Sequence, residues 1–193
     1  KNNKKVLVFA EDVAASGGYL IACAGDEIYA NSSSIVGSIG VISASFGFQE
    51  AIKKIGIERR VYTAGKNKST LDPFKEEKEE DIERLKKIQL ELHSDFIKVV
   101  KTSRGSKLID VEKNNTFTGE FWSGSASLKL GLIDGIGNAD QILKKKFGED
   151  LLIKKIEKPK SFIAKKLSSS LDTQVDSIAN ILEERAQWQK FGL

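Results

Sequence analysis

Apolar residues enter this chain in short blocks near its start and at helical spacing further on. Val6-Leu7-Val8-Phe9-Ala10 is a run of β-branched and aromatic residues and predicts a buried strand. After Glu11-Asp12 and a small-residue turn, Gly17 to Ala24 carries Tyr19, Leu20, Ile21 and Cys23, and predicts a short buried helix stopped by Gly25-Asp26. Ile35 to Phe46 alternates small and β-branched residues and predicts a strand pair turning at Gly37-Ser38. Phe48 to Ile55 predicts a short helix ended by Gly56, and Ile57 to Thr63 a further strand. From Lys75 to Ser103, Ile82, Leu85, Ile88, Leu92, Phe96 and Val99 recur three or four apart, which is one face of a long helix terminated by Gly105. His93, the only histidine, lies off the centre of that stripe and is read as a partly exposed structural residue. Gly119 to Leu130 predicts another helix, 131–137 a strand or turn, and Asn138 to Phe147 a helix with Gly148 at its stop. Strands alternating with helices predict an α/β fold with crossover connections.

The pattern changes after Glu149. Leu151 to Ile156 predicts a strand broken by Lys158-Pro159-Lys160, and Asp172 caps a predicted helix running to about Lys190. The division is therefore a main domain over 1–149 and a strand and helical extension over 150–193. Trp188 and Phe191 near the chain end suit docking on a neighbouring subunit and packing on the chain's own core about equally. The basic 158–166 stretch reads as a solvated linker.

With 193 residues, 40% of them hydrophobic, the chain can build one sizeable core. The net charge of +4 mixes 31 basic with 27 acidic residues, without the aromatic-studded basic stripe that nucleic-acid binding uses, so no nucleic-acid partner is expected. The acidic start of the long helix, Lys75 to Glu83, reads as a solvated face. Cys23 is the only cysteine, which excludes an internal disulfide, and its apolar setting predicts a core residue. The uncharged stretch Val13 to Gly25 is shorter than the roughly 20 residues that a membrane-spanning helix needs.

The chemistry gathers at Ala14-Ala15-Ser16-Gly17-Gly18-Tyr19. Ser16 stands where the first strand region gives way to a helix, a place that exposes a nucleophile. The free N–H groups of a helix start, Gly17 N–H first, suit a developing oxyanion. Gly17 and Gly18 carry no side chain that would block an approaching peptide carbonyl. The same short motif is also ordinary helix-capping chemistry. A nucleophilic serine needs a base, and with His93 in the long helix the better base is a lysine. Such a lysine must be neutral, which requires its pKa to fall from about 10.4 toward about 7–8. The loop Ala64-Gly65-Lys66-Asn67-Lys68-Ser69-Thr70-Leu71-Asp72-Pro73 supplies two candidates, Lys66 and Lys68, and residue chemistry alone does not choose between them.

Four stretches in order resemble the serine–lysine signal peptide peptidase family, SppA/SohB. They are Ala14 to Tyr19, Val36-Gly37-Ser38-Ile39-Gly40-Val41, Gly65-Lys66-Asn67-Lys68 leading to Asp72-Pro73, and Phe117-Thr118-Gly119 through Trp122-Ser123-Gly124 and Ala126 to Lys129-Leu130-Gly131-Leu132-Ile133-Asp134. The resemblance implies a ClpP/crotonase-like fold of mostly parallel strands with crossover helices, and a Ser/Lys dyad of Ser16 and Lys68. It also implies a lysine-orienting role for Ser38, oxyanion and substrate contacts at Gly17 and Gly18, and neither cofactor nor metal. The expected substrates are residual signal peptides and similar hydrophobic segments. The expected setting is a homo-oligomeric ring at the bacterial cell membrane, its soluble domain on the periplasmic side, in which serine and lysine can come from adjacent subunits. Family members carry an N-terminal anchor and a strand–helix segment whose Pro-Gly-Gly loop gives a second oxyanion donor. Neither precedes Lys1 here, so the chain reads as a fragment. The alternative is a catalytically silent oligomeric scaffold of the same fold. A crotonase-type acyl-CoA enzyme fits less well, because a serine–lysine pair with glycine after the serine suits peptide hydrolysis.

Overall fold

The computed structural model describes residues 4–154 and 156. Contacts divide the chain into Lys1–Asp150 and Leu151–Leu193, and every element below lies in the first part. The helix expected from Asp172, the 158–166 stretch and the Trp188/Phe191 tail lie outside the described residues. Leu151–Lys154 and Ile156 form no strand.

Two three-stranded sheets organise the fold. The first places β1 (Leu7–Ala10) parallel to β3 (Glu27–Ala30), which is parallel in turn to β6 (Gly135–Ile136). The second places β2 (Val13–Ala15) parallel to β4 (Ile35–Gly37), with β5 (Phe121–Ser123) antiparallel on the other side. Parallel neighbours cannot be joined by a tight turn, and helices supply the crossovers. The first, α1 (Gly17–Ala22), lies between β2 and β3. α2 (Gln49–Lys54), α3 (Glu79–Arg104), α4 (Gly124–Lys129) and α5 (Ala139–Phe147) follow in chain order. This is the mixed α/β arrangement that the alternating pattern predicts.

The core is built by Tyr19, Ile28, Val36, Ile39, Phe96, Val100, Leu132 and Ile133, with Cys23 among them. Each large apolar side chain removed from water in this way contributes about 1.5–3 kcal/mol. Burial raises the Cys23 thiol pKa and keeps it protonated, as suits a packing residue. α3 begins with Glu79, Glu80 and Asp81 and ends with Lys101 and Arg104, charges that oppose the helix dipole at each end.

The 131–134 turn is where several elements are tied together. Arg104 is buried and donates from Nε to Gly131 O at 3.0 Å and from a terminal nitrogen to Asp134 Oδ2 at 2.7 Å. Ile28 N–H donates to the same Oδ2 at 2.8 Å, and Lys107 Nζ to Oδ1 at 2.5 Å. Burial works against ionisation of Asp134, but these donors outweigh it and hold its carboxyl down at about 2. Tyr19 closes the knot from α1 by donating its hydroxyl to Leu132 O at 2.7 Å.

Three expectations are corrected. Residues 57–63 form no strand, and Ile57 and Tyr62 are exposed. β4 stops at Gly37, and 38–48 is irregular, with Ile42 and Phe46 facing solvent. An apolar alternation becomes a strand only where a neighbouring edge accepts its backbone hydrogen bonds, and among the described residues neither segment has one. The predicted helix 119–130 divides into β5 and α4. Phe121 and Trp122 pair with Gly37 and Val36, and the Ser123 hydroxyl caps α4 by accepting from Ala126 N–H. Gly37 has φ 112°, and a Cβ there would lie 2.8 Å from the Trp122 ring, so this position admits only glycine.

Candidate active site

The two serines singled out by sequence each follow the last residue of a paired strand in the second sheet. In the parallel pair β2–β4, Ala15 faces Gly37, and Ser16 and Ser38 are the next residue of each chain segment. Ser16 N–H donates to Gly37 O at 2.8 Å, which closes the strand pair just where both chains leave it. Carboxyl ends of parallel strands are where α/β folds present their functional groups.

Both serines hold unusual backbones, Ser16 with φ 51° and Ser38 with φ 52°. Non-glycine residues enter that region at a cost of about 1–3 kcal/mol and keep it only where surrounding bonds enforce it. At Ser16 the enforcement comes from β2 on one side and α1 on the other, since Leu20 N–H already bonds to Ser16 O at 3.0 Å. The result is a sharp strand-to-helix turn that raises the serine side chain above the sheet end. Ser16 is the N-cap of α1, yet its side chain makes no capping hydrogen bond. Its hydroxyl is therefore not spent on holding the helix.

Gly17 and Gly18 form the exposed first turn of α1, whose leading N–H groups have no partner within the helix. A Cβ at either glycine would meet nothing within 4 Å. The space before them is open to a ligand.

Ser16 and Gly17 border a cleft of about 390 Å³ whose walls are mostly apolar: Leu20, Val41, Ile42, Leu92, Phe96 and Val99, with Gly40 and Asp95 completing the lining. Sequence reading missed this use of α3. The stripe of Leu92, Phe96 and Val99 divides its work: Phe96 and Val100 go into the core, while Leu92 and Val99 stay half exposed along the cleft. The exposure of alternate members of an apolar stripe is the signal, and it becomes visible only with burial in hand. His93 lies on the core side of that division, its Nε2 3.1 Å from Ile39 O.

Lys68 is not among the residues that line the cleft. It sits on an exposed loop outside the cleft lining, and among the described residues its side chain makes no hydrogen bond or ion pair. Its neighbour Lys66 is exposed as well. The loop is anchored at its far end. Asp72 takes both oxygens to Arg59 Nε at 3.0 Å and accepts Phe74 N–H at 3.1 Å. Arg59 lies 4.9 Å over the Phe74 ring, which stacks on Phe48. The Asp72-Pro73 motif thus fixes the loop's exit, and Lys68 stands exposed on the turn before it, its N–H bonded to Gly65 O at 3.2 Å. No group of histidine, cysteine or carboxylate side chains able to hold a metal occurs among the described residues, and no helix among them is long and apolar enough to cross a membrane.

Comparison with known proteins accounts for this assembly of motifs. Residues 1–150 match the family described as Peptidase family S49. The chain is 35% identical to a probable protease SohB from Buchnera aphidicola subsp. Schizaphis graminum, over 81% of the chain and 45% of that protein. It is 36% identical to a putative protease of Methanocaldococcus jannaschii, over 74% of the chain and 46% of that protein. Along its whole length it is 52% identical to a protein of Brucella abortus (strain 2308) named Na(+)/H(+) antiporter NhaA, of which it covers 28%. The chain therefore spans less than half the length of each of these relatives. With the ordered serine, glycine and lysine motifs on an α/β scaffold and a match over residues 1–150, this chain belongs to peptidase family S49, the family of the SppA/SohB proteases.

Proposed function

We propose that the chain carries the nucleophile domain of a serine endopeptidase that cleaves hydrophobic peptides, remnants of signal peptides among them, through a Ser/Lys dyad. Ser16 Oγ attacks the scissile carbonyl carbon while a neutral Lys68 accepts its proton. Gly17 N–H receives the oxyanion. Collapse breaks the C–N bond, the Lys68 ammonium protonates the leaving amine, and water then releases the acyl group from Ser16 by the same path in reverse. Ser38, beside Ser16, orients the lysine.

The observation that carries this reading is Ser16 itself: a left-handed residue at a strand-to-helix turn, its hydroxyl free of capping, at the mouth of an apolar cleft. The Leu20, Val41, Leu92 and Val99 walls favour an apolar peptide segment. Lys68 on an exposed loop favours a dyad completed between subunits of a ring, with exposed Ile42, Phe46 and Tyr62 available to be covered on assembly. A membrane-linked setting draws support from the Brucella relative, whose name is that of an antiporter and whose aligned portion spans the S49 stretch. That aligned portion is best understood as a peptidase-type module within a longer chain.

The test is a serine-directed fluorophosphonate on the full-length protein. Covalent labelling at Ser16, lost in Ser16→Ala together with peptide hydrolysis, is the expected outcome. An unlabelled Ser16 in an assembled, folded protein would favour the silent scaffold.

A further inference from the structure

The turn that carries Ser38 is strained and short, and its hold on the rest of the molecule can be followed bond by bond. Ser38 N–H donates to Glu120 O at 2.6 Å, which hangs the turn on the segment leading into β5. Gly40 N–H folds back to Ser38 O at 3.0 Å. Between them the Ile39 side chain is fully buried. The Ile39 carbonyl has a different partner: His93 Nε2, 3.1 Å away on α3. A carbonyl only accepts, so the ring must carry its proton on Nε2. Both the neutral Nε2–H tautomer and the imidazolium keep that donor.

His93 shares its helix face with Phe96 and Val100, three and seven residues on, and these two are buried in the core. The histidine is thereby seated on the most firmly packed part of α3. On its other side, the carbonyl it holds belongs to the residue between Ser38 and Gly40, and Gly40 begins the Val41–Ile42 wall of the cleft. A partly buried carbonyl deprived of its donor is costly, and a left-handed serine persists only where such bonds over-determine it.

We infer that His93 is a positioning residue of the active site: through Ile39 O it holds the Ser38 turn, and with it the Ser38 hydroxyl, in place beside Ser16. This rests on the peptidase reading of Ser16 and Ser38, and it gives the chain's only histidine a role that is neither base nor nucleophile. An imidazole supplies the donor at a reach that a glutamine amide can approximate and an aliphatic side chain cannot.

The test compares His93→Leu with His93→Gln in the full-length protein. It reads peptide kcat and KM, the rate of fluorophosphonate labelling at Ser16, and amide hydrogen exchange across residues 38–42. The leucine variant should lose about tenfold or more in kcat with KM changed less than about threefold, and should exchange faster over 38–42. The glutamine variant should recover kcat to within about threefold of the parent. Equal kcat in the leucine variant and the parent, or equal impairment of both variants, overturns the inference. If leucine prevents folding, His93→Ala takes its place in the same comparison. If the parent protein itself neither labels nor hydrolyses, the peptidase reading fails, and hydrogen exchange alone judges the clamp: faster exchange in leucine than in glutamine upholds it, equal exchange overturns it.

Discussion

Replacing Asp134 with asparagine tests the tie that joins α3, β3 and the turn behind α1. The carboxylate accepts from buried Arg104, from Lys107 and from Ile28 N–H, and its side chain is only 13% exposed. Its folded pKa of about 2 lies below the ordinary aspartate value of 3.8, so its ionic contribution is complete above about pH 4 and disappears as pH falls through about 2. That shift corresponds to about 2 kcal/mol. Asparagine leaves a neutral acceptor beside a guanidinium that remains charged and buried, which brings the expected loss at pH 7 to about 3 kcal/mol. Urea unfolding followed by circular dichroism, at pH 7, 4 and 3, measures both proteins. The gap between them should be about 3 kcal/mol at pH 7 and should narrow by about 1 kcal/mol at pH 3. Glu27, held at about 2 by Lys146, Lys5 and Tyr29, titrates in the same window in both proteins and cancels from the difference. A gap below about 1 kcal/mol at pH 7, or one that does not change with pH, would refute the assignment of that charge network to stability.

Other outcomes follow from the site. Ser16→Gly removes the nucleophile and relieves a left-handed serine, so hydrolysis should vanish while stability rises by up to about 1 kcal/mol; a destabilised glycine variant would show that the φ 51° backbone stores no strain. Gly37→Ala forces a Cβ to 2.8 Å from the Trp122 ring at φ 112° and should cost more than about 2 kcal/mol in urea unfolding, whereas a change below about 0.5 kcal/mol would contradict the packing. Lys68→Ala and Ser16→Ala proteins should each be inactive, and mixing them in a reassembling oligomer should restore partial hydrolysis. Verified mixed oligomers that stay inactive would place both residues in one subunit.

The elements that pack locally were legible in the residues. The Val6–Ala10 strand, the helix after Ser16 and the Asn138-capped helix all appear within a residue or two of where pattern and capping chemistry put them. What pattern could not supply was pairing. The 57–63 run has strand composition but no edge to join, and Phe121-Trp122 sits in a helical-looking stretch yet pairs with β4 because Gly37 leaves room for the indole. The site divides in the same way. Ser16, Ser38, Gly17 and Gly18 are singled out by motifs, and only the pairing of β2 with β4 shows that the two serines follow neighbouring strand ends. The cleft wall on α3 and the bond from His93 depend on which face of the long helix meets the sheet, a tertiary choice that helical spacing leaves open.

The seating of Trp122 has a use beyond packing. Its indole lies against Gly37, one residue before Ser38, and the chain's other tryptophan is Trp188. Trp188→Phe would therefore leave Trp122 as the single tryptophan, beside the end of the strand that leads to the second serine. Emission from that one ring would report ligand entry or subunit assembly at this end of the sheet, with no label attached and no substrate turned over.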